Sequence, residues 1–394
     1  MPKKHFELLK TLDGHTDAVW GSCCSSKGDT LFTASWDGTI ASWDIITGEQ
    51  TSSCQGHSGK VFCVAAGDDM QGSVLVSGGE DHSIRSWNLI DGTCEGTMDD
   101  AHDGSVVSFL FFFYCSIEIV SSHDLDSFKS PSHKPCFTPY AFILQYDVKV
   151  LPSNKSEAVV IMSVGADAVL NLWTLEPGQN PSVHAIKDQH DGPIYTCAFD
   201  SRGLLLATSS SDTTIRLYDA ETGTPVSLLG TMGVEITSPE LGHSSTVACV
   251  EFFKSQPHMI LSAGWDSSFK IWDTRLNQGC VMTTENAHSE IVSCCTSLGD
   301  YWAVTGSSDS TVKVWDIRGT GNQKTQGGTG IPSTASAACV ETLDDHITSI
   351  CSLTMCAGDA QLITTGGDRT VRQFTACMDH NAVDVGCGAK CTVQ

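Results

Sequence analysis

Residues 242–273 read GHSSTVACVEFFKSQPHMILSAGWDSSFKIWD and contain one complete copy of a pattern that recurs along the chain. It places His243 near its start, Ser262 well inside it, Asp266 four positions after the serine and Trp272 six positions after the aspartate. The same quartet of residue types, with the same spacing from hydroxyl to carboxyl to aromatic ring, returns along the chain. Such self-similarity indicates a repeat architecture, in which each unit stacks on its neighbours.

The quartet occurs seven times. Its members are His15, Thr33, Asp37, Trp43; His57, Ser77, Asp81, Trp87; His102, Ser163, Asp167, Trp173; His190, Thr208, Asp212, Tyr218; His243, Ser262, Asp266, Trp272; His288, Thr305, Asp309, Trp315; and His346, Thr364, Asp368, Phe374. Several copies open on Gly-His and close on Trp-Asp, as in Gly14-His15 and Trp43-Asp44. With a period of roughly 40 to 45 residues, the chain resembles the WD-repeat family along almost its whole length.

The resemblance implies an all-β protein: a seven-bladed WD-repeat β-propeller with four antiparallel strands per blade. In this family the Asp accepts a hydrogen bond from the His, the His contacts the Ser or Thr hydroxyl, and that hydroxyl reaches the Trp indole. Tyr218 keeps a donor at the aromatic position, whereas Phe374 does not, so we expect blade seven to have the weakest network. Phe6 to Leu12 has the pattern of a fourth strand without a blade, and we expect it to close the ring in blade seven.

The third repeat is too long. Its His and aromatic residue lie 71 positions apart, whereas the other repeats span 27 to 30 positions. Removing residues 107–145 restores the spacing, so we expect this segment to lie outside the propeller and Tyr146 to Val150 to form the innermost strand. The segment holds seven of the 15 Phe residues, and its ends match splice-site codons, as in a translated intron. The alternative is a genuine long loop.

We therefore predict one domain, a propeller over residues 5–377, interrupted by the 107–145 insertion. Residues 319–338 are rich in Gly, Ser and Thr and predict a flexible loop in blade six. The periodicity ends near Cys377, and residues 378–394 are predicted to be a disordered tail.

Charge and cysteine content narrow the classes of function. The 22 basic residues against 46 acidic ones give a net charge of -24, which disfavours nucleic acid and favours proteins with basic segments as partners. The sequence contains no signal peptide and no membrane-length apolar run, so we expect a cytoplasmic or nuclear protein without membrane contact. Most repeat-associated cysteines lie on innermost strands, which is typical of reduced core thiols: Cys23, Cys63, Cys197, Cys249, Cys294, Cys295 and Cys351.

Catalysis is not expected. The seven Ser/Thr, His and Asp sets look like hydrolase triads, but identical copies each locked to an aromatic ring are structural. We find no separate nucleophile with a base, no phosphate-binding loop and no metal-ligand spacing, and we predict no cofactor; Cys387, Cys391 and His380 in the tail are too weak a pattern for a metal site. The remaining interpretation is a non-catalytic scaffold or adaptor, monomeric within a larger complex.

The family resemblance also implies which residues bind partners. Residues five positions after the repeat His and just before the repeat Asp face the broad end of the disc near its channel. In this chain, with residues 107–145 skipped in the third repeat, these positions hold a set rich in aromatic residues, which are typical interface anchors: Trp20, Trp36, Phe62, Glu80, Tyr146, Tyr195 and Trp265.

Two consecutive repeats end on Trp-Asp-x-Arg, with Arg275 and Arg318 as the last residues. This motif is similar to the box by which substrate receptors dock on the adaptor of cullin-RING ubiquitin ligases. The resemblance implies an alternative function as such a receptor, with both arginines on the narrow face. A G-protein β-like subunit is less expected, because only some ten residues precede the first repeat.

Overall fold

A computed structural model of the chain describes residues 4–25, 27–69, 72–89, 91–99, 101–113, 159–175, 182–186, 190–220, 222–230, 242–276, 280–318, 336–356 and 360–378. The described residues form 28 strands, arranged as seven antiparallel four-stranded sheets. The innermost strand of each sheet contacts the innermost strands of the two neighbouring sheets, and the seventh contacts the first, so the sheets form a closed ring. The predicted seven-bladed propeller is therefore confirmed.

The four strands of each blade follow one another from the channel outward. Blades one to three are β2 (Val19–Cys24), β3 (Thr30–Ser35), β4 (Thr39–Asp44), β5 (Gln50–Gln55); β6 (Val61–Asp69), β7 (Gly72–Gly79), β8 (Ile84–Trp87), β9 (Cys94–Met98); and β10 (Val106–Phe113), β11 (Val159–Gly165), β12 (Leu170–Leu175), β13 (Ser182–Ile186). Blades four and five are β14 (Ile194–Phe199), β15 (Leu205–Ser210), β16 (Ile215–Asp219), β17 (Pro225–Leu229); and β18 (Val247–Phe253), β19 (Gln256–Gly264), β20 (Phe269–Asp273), β21 (Cys280–Thr284). Blades six and seven are β22 (Val292–Leu298), β23 (Trp302–Ser307), β24 (Val312–Asp316), β25 (Ala338–Leu343); and β26 (Ile350–Cys356), β27 (Gln361–Gly366), β28 (Thr370–Met378), β1 (Lys4–Asp13).

The core lies between the blades. The residue four positions after each repeat His is β-branched and almost completely buried in every blade: Val19, Val61, Val106, Ile194, Val247, Val292 and Ile350. β-branched side chains pack well on a pleated surface, and burying each one stabilises the stack by about 1.5 to 3 kcal/mol. Apolar clusters join neighbouring blades, as where Leu217 of blade four packs with Val247 and Ile260 of blade five.

The turn between the second and third strands has one conformation throughout. The residue after the repeat Asp has a positive φ in all seven blades, from 60° to 82°: Gly38, His82, Ala168, Thr213, Ser267, Ser310 and Arg369. Only the first of these is glycine, the residue that adopts this conformation at least cost. The Asp side chain stabilises the turn, since Asp37 Oδ1 accepts a hydrogen bond from the backbone N–H of Thr39 at 2.9 Å.

The innermost strand of blade three differs from expectation. It is β10, which pairs with β11 so that Val106 faces Gly165, two positions before the repeat Asp. Blade one has the same register, with Val19 opposite Ser35. Residues 106–113 form a run of strand-forming residues that follows the repeat His directly, so they take this place and the prediction for Tyr146–Val150 was wrong. Residues 107–113 belong to β10, so the expectation that the whole of 107–145 lies outside the propeller was wrong for these residues. Residues 114–158 lie outside the described residues, and the origin of the segment as a translated intron stays a prediction.

The ring closes where blade seven meets blade one. β1 pairs with β28 over nearly its whole length, which confirms the predicted closure by the amino-terminal strand. A disulfide joins Cys24 on β2 to Cys356 on β26, with their Cα atoms 6.1 Å apart. Neither cysteine is among the seven that were predicted to be reduced core thiols, and those seven are free thiols in the structure. Spacing along the chain did not reveal the pair, because the two halves meet only when the ring closes.

Two predicted segments fall largely outside the described residues. In the predicted 319–338 loop, only 336–338 are described, and Ala338 begins β25. In the predicted 378–394 tail, only Met378 is described, as the last residue of β28. Among the described residues, no helix is long and apolar enough to cross a membrane.

Candidate functional site

The repeat quartets form directed chains of hydrogen bonds inside the blades. In blade five, Trp272 Nε1 donates to Ser262 Oγ at 2.8 Å, and that oxygen lies 2.8 Å from His243 Nε2. The other ring nitrogen, His243 Nδ1, lies 2.9 Å from Asp266 Oδ2. Blades one, two and six repeat this geometry within about 0.2 Å. Each of these groups has a partner, as a buried network requires.

Three blades depart from the pattern at the aromatic position. Tyr218 lies near Thr208, but its buried hydroxyl is outside hydrogen-bonding geometry and has no partner, and burial raises its pKa. The prediction that Tyr218 would serve as a donor was therefore wrong. Phe374 fills the equivalent place in blade seven without a donor, as expected. In blade three, His102 bonds Ser163 and Asp167 at 2.7 and 2.9 Å, and the Trp173 side chain lies outside the described residues.

Burial favours the neutral form of three repeat histidines, His57, His288 and His346, and hydrogen bonds favour the charged form of the repeat aspartates. Burial opposes ionisation of Asp309, but hydrogen bonds from Thr311 and the backbone and the charge of His288 lower its pKa to about 2. The pKa values of the other six repeat aspartates are lowered in the same way. Burial also lowers the pKa of His288 against the opposing effect of Asp309. A neutral imidazole that donates from Nδ1 accepts at Nε2, which fixes the direction of the chain from indole to hydroxyl to imidazole to carboxylate.

The quartets therefore serve the fold. Ser262 Oγ is completely buried, and the indole and imidazole bonds occupy both of its sides. A hydroxyl in this position stabilises blade packing and does not face a substrate. The surfaces that remain for recognition are the two ends of the disc.

We call the end of the disc that carries the repeat histidines and the Asp turns the histidine face. At its centre lies a cavity of about 540 Å³, the upper part of the channel, lined by the starts of the inner strands of all seven blades. Five of the predicted residues reach this cavity, and all five are aromatic: Trp20, Trp36, Phe62, Tyr195 and Trp265. We call this aromatic set the mouth.

The mouth consists of two groups of rings. Trp20 stacks on Trp36 with ring centroids 4.8 Å apart, and Phe62 meets Trp20 edge-on at 6.3 Å. Across the cavity, Tyr195 contacts Trp265 at 5.7 Å. Trp265 is thus paired with a ring from the preceding blade. Trp20 and Trp265 are the most exposed, at 36% and 41%. Exposed aromatic rings of this kind present apolar faces to a partner.

Lys60 lies against the mouth, and sequence reasoning missed it. Its Nζ lies 4.0 Å from the centroid of the Trp36 ring. Glu80, one of the predicted residues, fixes the Lys60 backbone: its carboxylate accepts from Lys60 N–H at 3.3 Å, and its own N–H donates to the Lys60 carbonyl at 2.8 Å. Glu80 therefore lies at the rim. Tyr146, the seventh predicted residue, lies outside the described residues.

Buried thiols lie deeper in the channel wall. Burial raises the pKa of Cys63 and Cys294 well above the ordinary value for a thiol. A protonated, buried thiol is a poor nucleophile and a poor metal ligand. No cluster of three or more His, Cys, Asp or Glu side chains suited to a metal ion occurs in the part of the chain that the structure describes.

The two Trp-Asp-x-Arg arginines lie at the other end of the disc, because each follows the third strand of its blade. Arg275 donates to both oxygens of Asp273, and Arg318 does the same with Asp316. Their side chains remain 65% and 46% exposed. The Arg318 guanidinium also lies 5.3 Å from the Trp302 ring centroid, so its flat face is partly covered.

Comparison with known proteins agrees with this architecture. The family described as WD domain, G-beta repeat, matches residues 6–44, 48–88, 182–219, 235–273, 279–316 and 337–375. The six matches cover more than half of the chain and leave out residues 89–181, which contain the first three strands of blade three and the predicted insertion. The chain belongs to the WD-repeat family.

Several curated proteins are similar over long stretches. Transducin beta-like protein 3 of Rattus norvegicus is 26% identical over 91% of this chain, which spans about half (50%) of that protein's length. Periodic tryptophan protein 2 of Arabidopsis thaliana is 26% identical over 64% of this chain and 26% of its own length. A guanine nucleotide-binding protein subunit beta of Oryza sativa subsp. japonica is 23% identical over 79% of this chain and 83% of its own length.

Proposed function

We propose that this protein is a non-catalytic interaction scaffold whose histidine face binds a basic segment of a partner protein within a multiprotein complex. The observation that carries the proposal is the mouth, where five aromatic side chains from four blades converge on one open cavity. Buried aromatic anchors contribute most of the affinity at many protein interfaces, about 2 kcal/mol or more each.

Charge supports a basic partner. Three residues separate each repeat His from its inner strand, and all seven of these segments are described. They contain four acidic residues, all exposed, against one lysine: Asp17, Asp103, Asp191 and Glu290, with Lys60. These carboxylates lie on the histidine face, in blades one, three, four and six, and attract a positively charged segment, in keeping with the net charge of -24. For a scaffold of this kind we infer a location in the cytoplasm, the nucleus or both.

Affinity purification with a Trp20→Ala, Phe62→Ala double variant tests the proposal. We expect loss of the main co-purifying partner without loss of folding, measured by circular dichroism. The matched control is Ile46→Ala, Leu204→Ala, which removes two exposed apolar side chains from loops at the opposite end of the disc. Equal recovery of every partner by the double variant and the wild type would exclude the histidine face as the main binding surface.

The exposed arginine pair supports a second candidate function, that of a substrate receptor docking on a cullin-RING ligase adaptor. Asp273 and Asp316 hold the two guanidinium groups in the same orientation in consecutive blades. An Arg275→Ala, Arg318→Ala variant should lose co-purification with the adaptor at nearly unchanged stability. Arg202→Ala is the matched control, because Arg202 also pairs with an aspartate two residues earlier, Asp200, and lacks the motif. Absence of the adaptor from the wild-type pull-down would end this candidate.

A further inference from the structure

The mouth already contains a cation. Lys60 Nζ rests over the face of Trp36 at 4.0 Å from the ring centroid, a distance at which the negative face of an indole attracts an ammonium group. Trp20 stacks on the same indole at 4.8 Å, so a second ring holds in place the indole that carries the ammonium. The site is thus shaped for a primary ammonium group.

Lys60 is also unusual in its position. It is the only base in the seven segments between a repeat His and an inner strand, and the four acids in those segments are exposed while Lys60 is half-buried. Its backbone is fixed by two hydrogen bonds with Glu80, whereas its side chain is a flexible four-carbon stem. The ammonium can therefore leave the ring without disturbing the blade.

Trp36 carries a second unused group. Its Nε1–H is buried and has no hydrogen-bond partner among the described residues. A buried indole N–H normally finds an acceptor, and a peptide backbone lying across the mouth offers carbonyl oxygens for this purpose. One ligand, a peptide with a lysine side chain, meets both requirements of Trp36.

We infer that the mouth is a receptor for a lysine side chain of the partner's basic segment, and that Lys60 is an internal competitor that occupies the receptor in the free protein. The inference rests on the proposed function and specifies its ligand. Binding exchanges one ammonium for another on Trp36 and releases Lys60 toward the acidic rim. The cavity of about 540 Å³ below the rings accommodates the stem of the incoming side chain.

A direct test follows the position of Lys60 itself. Protein labelled with ¹³C at the lysine ε-carbons is titrated with a peptide of repeated Gly-Ser-Lys units, and with a Gly-Ser-Gln peptide as control. The aromatic ring current should shift the Lys60 ε-methylene protons upfield in the free protein, and the lysine peptide should return them to the normal range. If the Lys60 signal does not move while the peptide binds, the displacement is refuted.

A second test measures affinity by fluorescence anisotropy at about 150 mM salt, where long-range charge effects are screened. Lys60→Met should bind the lysine peptide roughly three- to fivefold more tightly than wild type, since a cation–π contact of the usual strength no longer competes. Arg369→Gln is the control: it removes one exposed positive charge from the histidine face and leaves Trp36 untouched. Equal strengthening by both changes would show a charge effect only and overturn the inference.

The two proposals fail separately. If the lysine peptide binds no better than the glutamine peptide, and the Trp20→Ala, Phe62→Ala variant still loses its partner, the scaffold function stands and the lysine receptor is excluded. If the double variant keeps every partner, the proposed use of this face fails whatever the peptide does.

Discussion

Replacing Trp272 with Phe should destabilise the protein much more than replacing Tyr218 with Phe, although both residues fill the same position in adjacent blades. The Trp272 indole is fully buried and donates to Ser262 Oγ at 2.8 Å. Loss of that bond costs about 1 kcal/mol of unfolding free energy. The smaller ring leaves a void of roughly 40 Å³, which costs about 1 kcal/mol more. We therefore expect a total loss of about 2 kcal/mol.

Tyr218→Phe removes a buried hydroxyl that has no partner. Since an unpaired buried hydroxyl is itself destabilising, its removal should leave stability unchanged or raise it by up to about 1 kcal/mol. Ring size is conserved, so no cavity forms. The two variants together separate the contribution of the hydrogen bond from the contribution of the aromatic ring.

The assay is urea denaturation followed by far-ultraviolet circular dichroism, which does not depend on the number of tryptophans. The denaturant slopes of the two variants should agree with that of the wild type, so that the midpoints report stability alone. Equal losses in both variants would show that Tyr218 is hydrogen-bonded in solution. A loss below about 0.5 kcal/mol for Trp272→Phe would show that the indole bond contributes little, contrary to the reasoning from networks.

Further predictions concern the Asp turns, the disulfide between blades one and seven, and the dependence of stability on pH. Thr213→Gly should stabilise the fold by about 1 kcal/mol in urea titrations, because a β-branched residue is strained at the φ of 72° found there. Gly38→Ala should destabilise the fold for the same reason. Changes of the opposite sign would contradict this account of the turns. Reducing the Cys24–Cys356 disulfide should lower the unfolding free energy by roughly 2 to 5 kcal/mol, and an unchanged urea midpoint with two additional titratable thiols would refute this. Burial lowers the pKa of the His57 imidazole in the folded protein, so the unfolded chain binds a proton first as the pH falls. The urea midpoint should therefore stay level above about pH 7 and decline below about pH 6.5. A midpoint that is constant down to about pH 5 would contradict this assignment.

Sequence reasoning recovered the fold because its evidence is local and repeated. Each quartet fixes the spacing along the chain from the histidine to the turn and from the turn to the aromatic residue. Seven such copies are compatible only with seven blades arranged in a closed propeller. Blade three shows the limit of that evidence. Both Val106–Phe113 and Tyr146–Val150 satisfy the pattern as far as spacing and propensity reach, and only the pairing of Val106 with Gly165 decides between them.

The sequence predicted which aromatic residues form the site but not which side chains contact each other there. Trp20 was indicated by its position after a repeat His, and Trp36 and Trp265 by their positions directly before a repeat Asp. Neighbouring blades bring equivalent positions to one opening. It did not indicate that Trp265 meets Tyr195, because that distance depends on ring rotamers in two blades. The position of Lys60 over Trp36 likewise depends on the conformation of a flexible side chain, for which no spacing rule exists.

The closure of blade seven by β1 also governs how the chain can be made. β1 and β28 are about 360 residues apart, and translation at about 5 to 20 residues per second separates their emergence from the ribosome by roughly 20 to 70 seconds. During that interval β28 does not exist, and the amino-terminal strand waits with its hydrogen-bonding edge uncovered. Six blades are able to stack as they are synthesised, yet the disc stays an open arc until the last strand is released. The uncovered edge of the first strand is therefore open to pairing with other chains throughout synthesis, long before any partner meets the finished face.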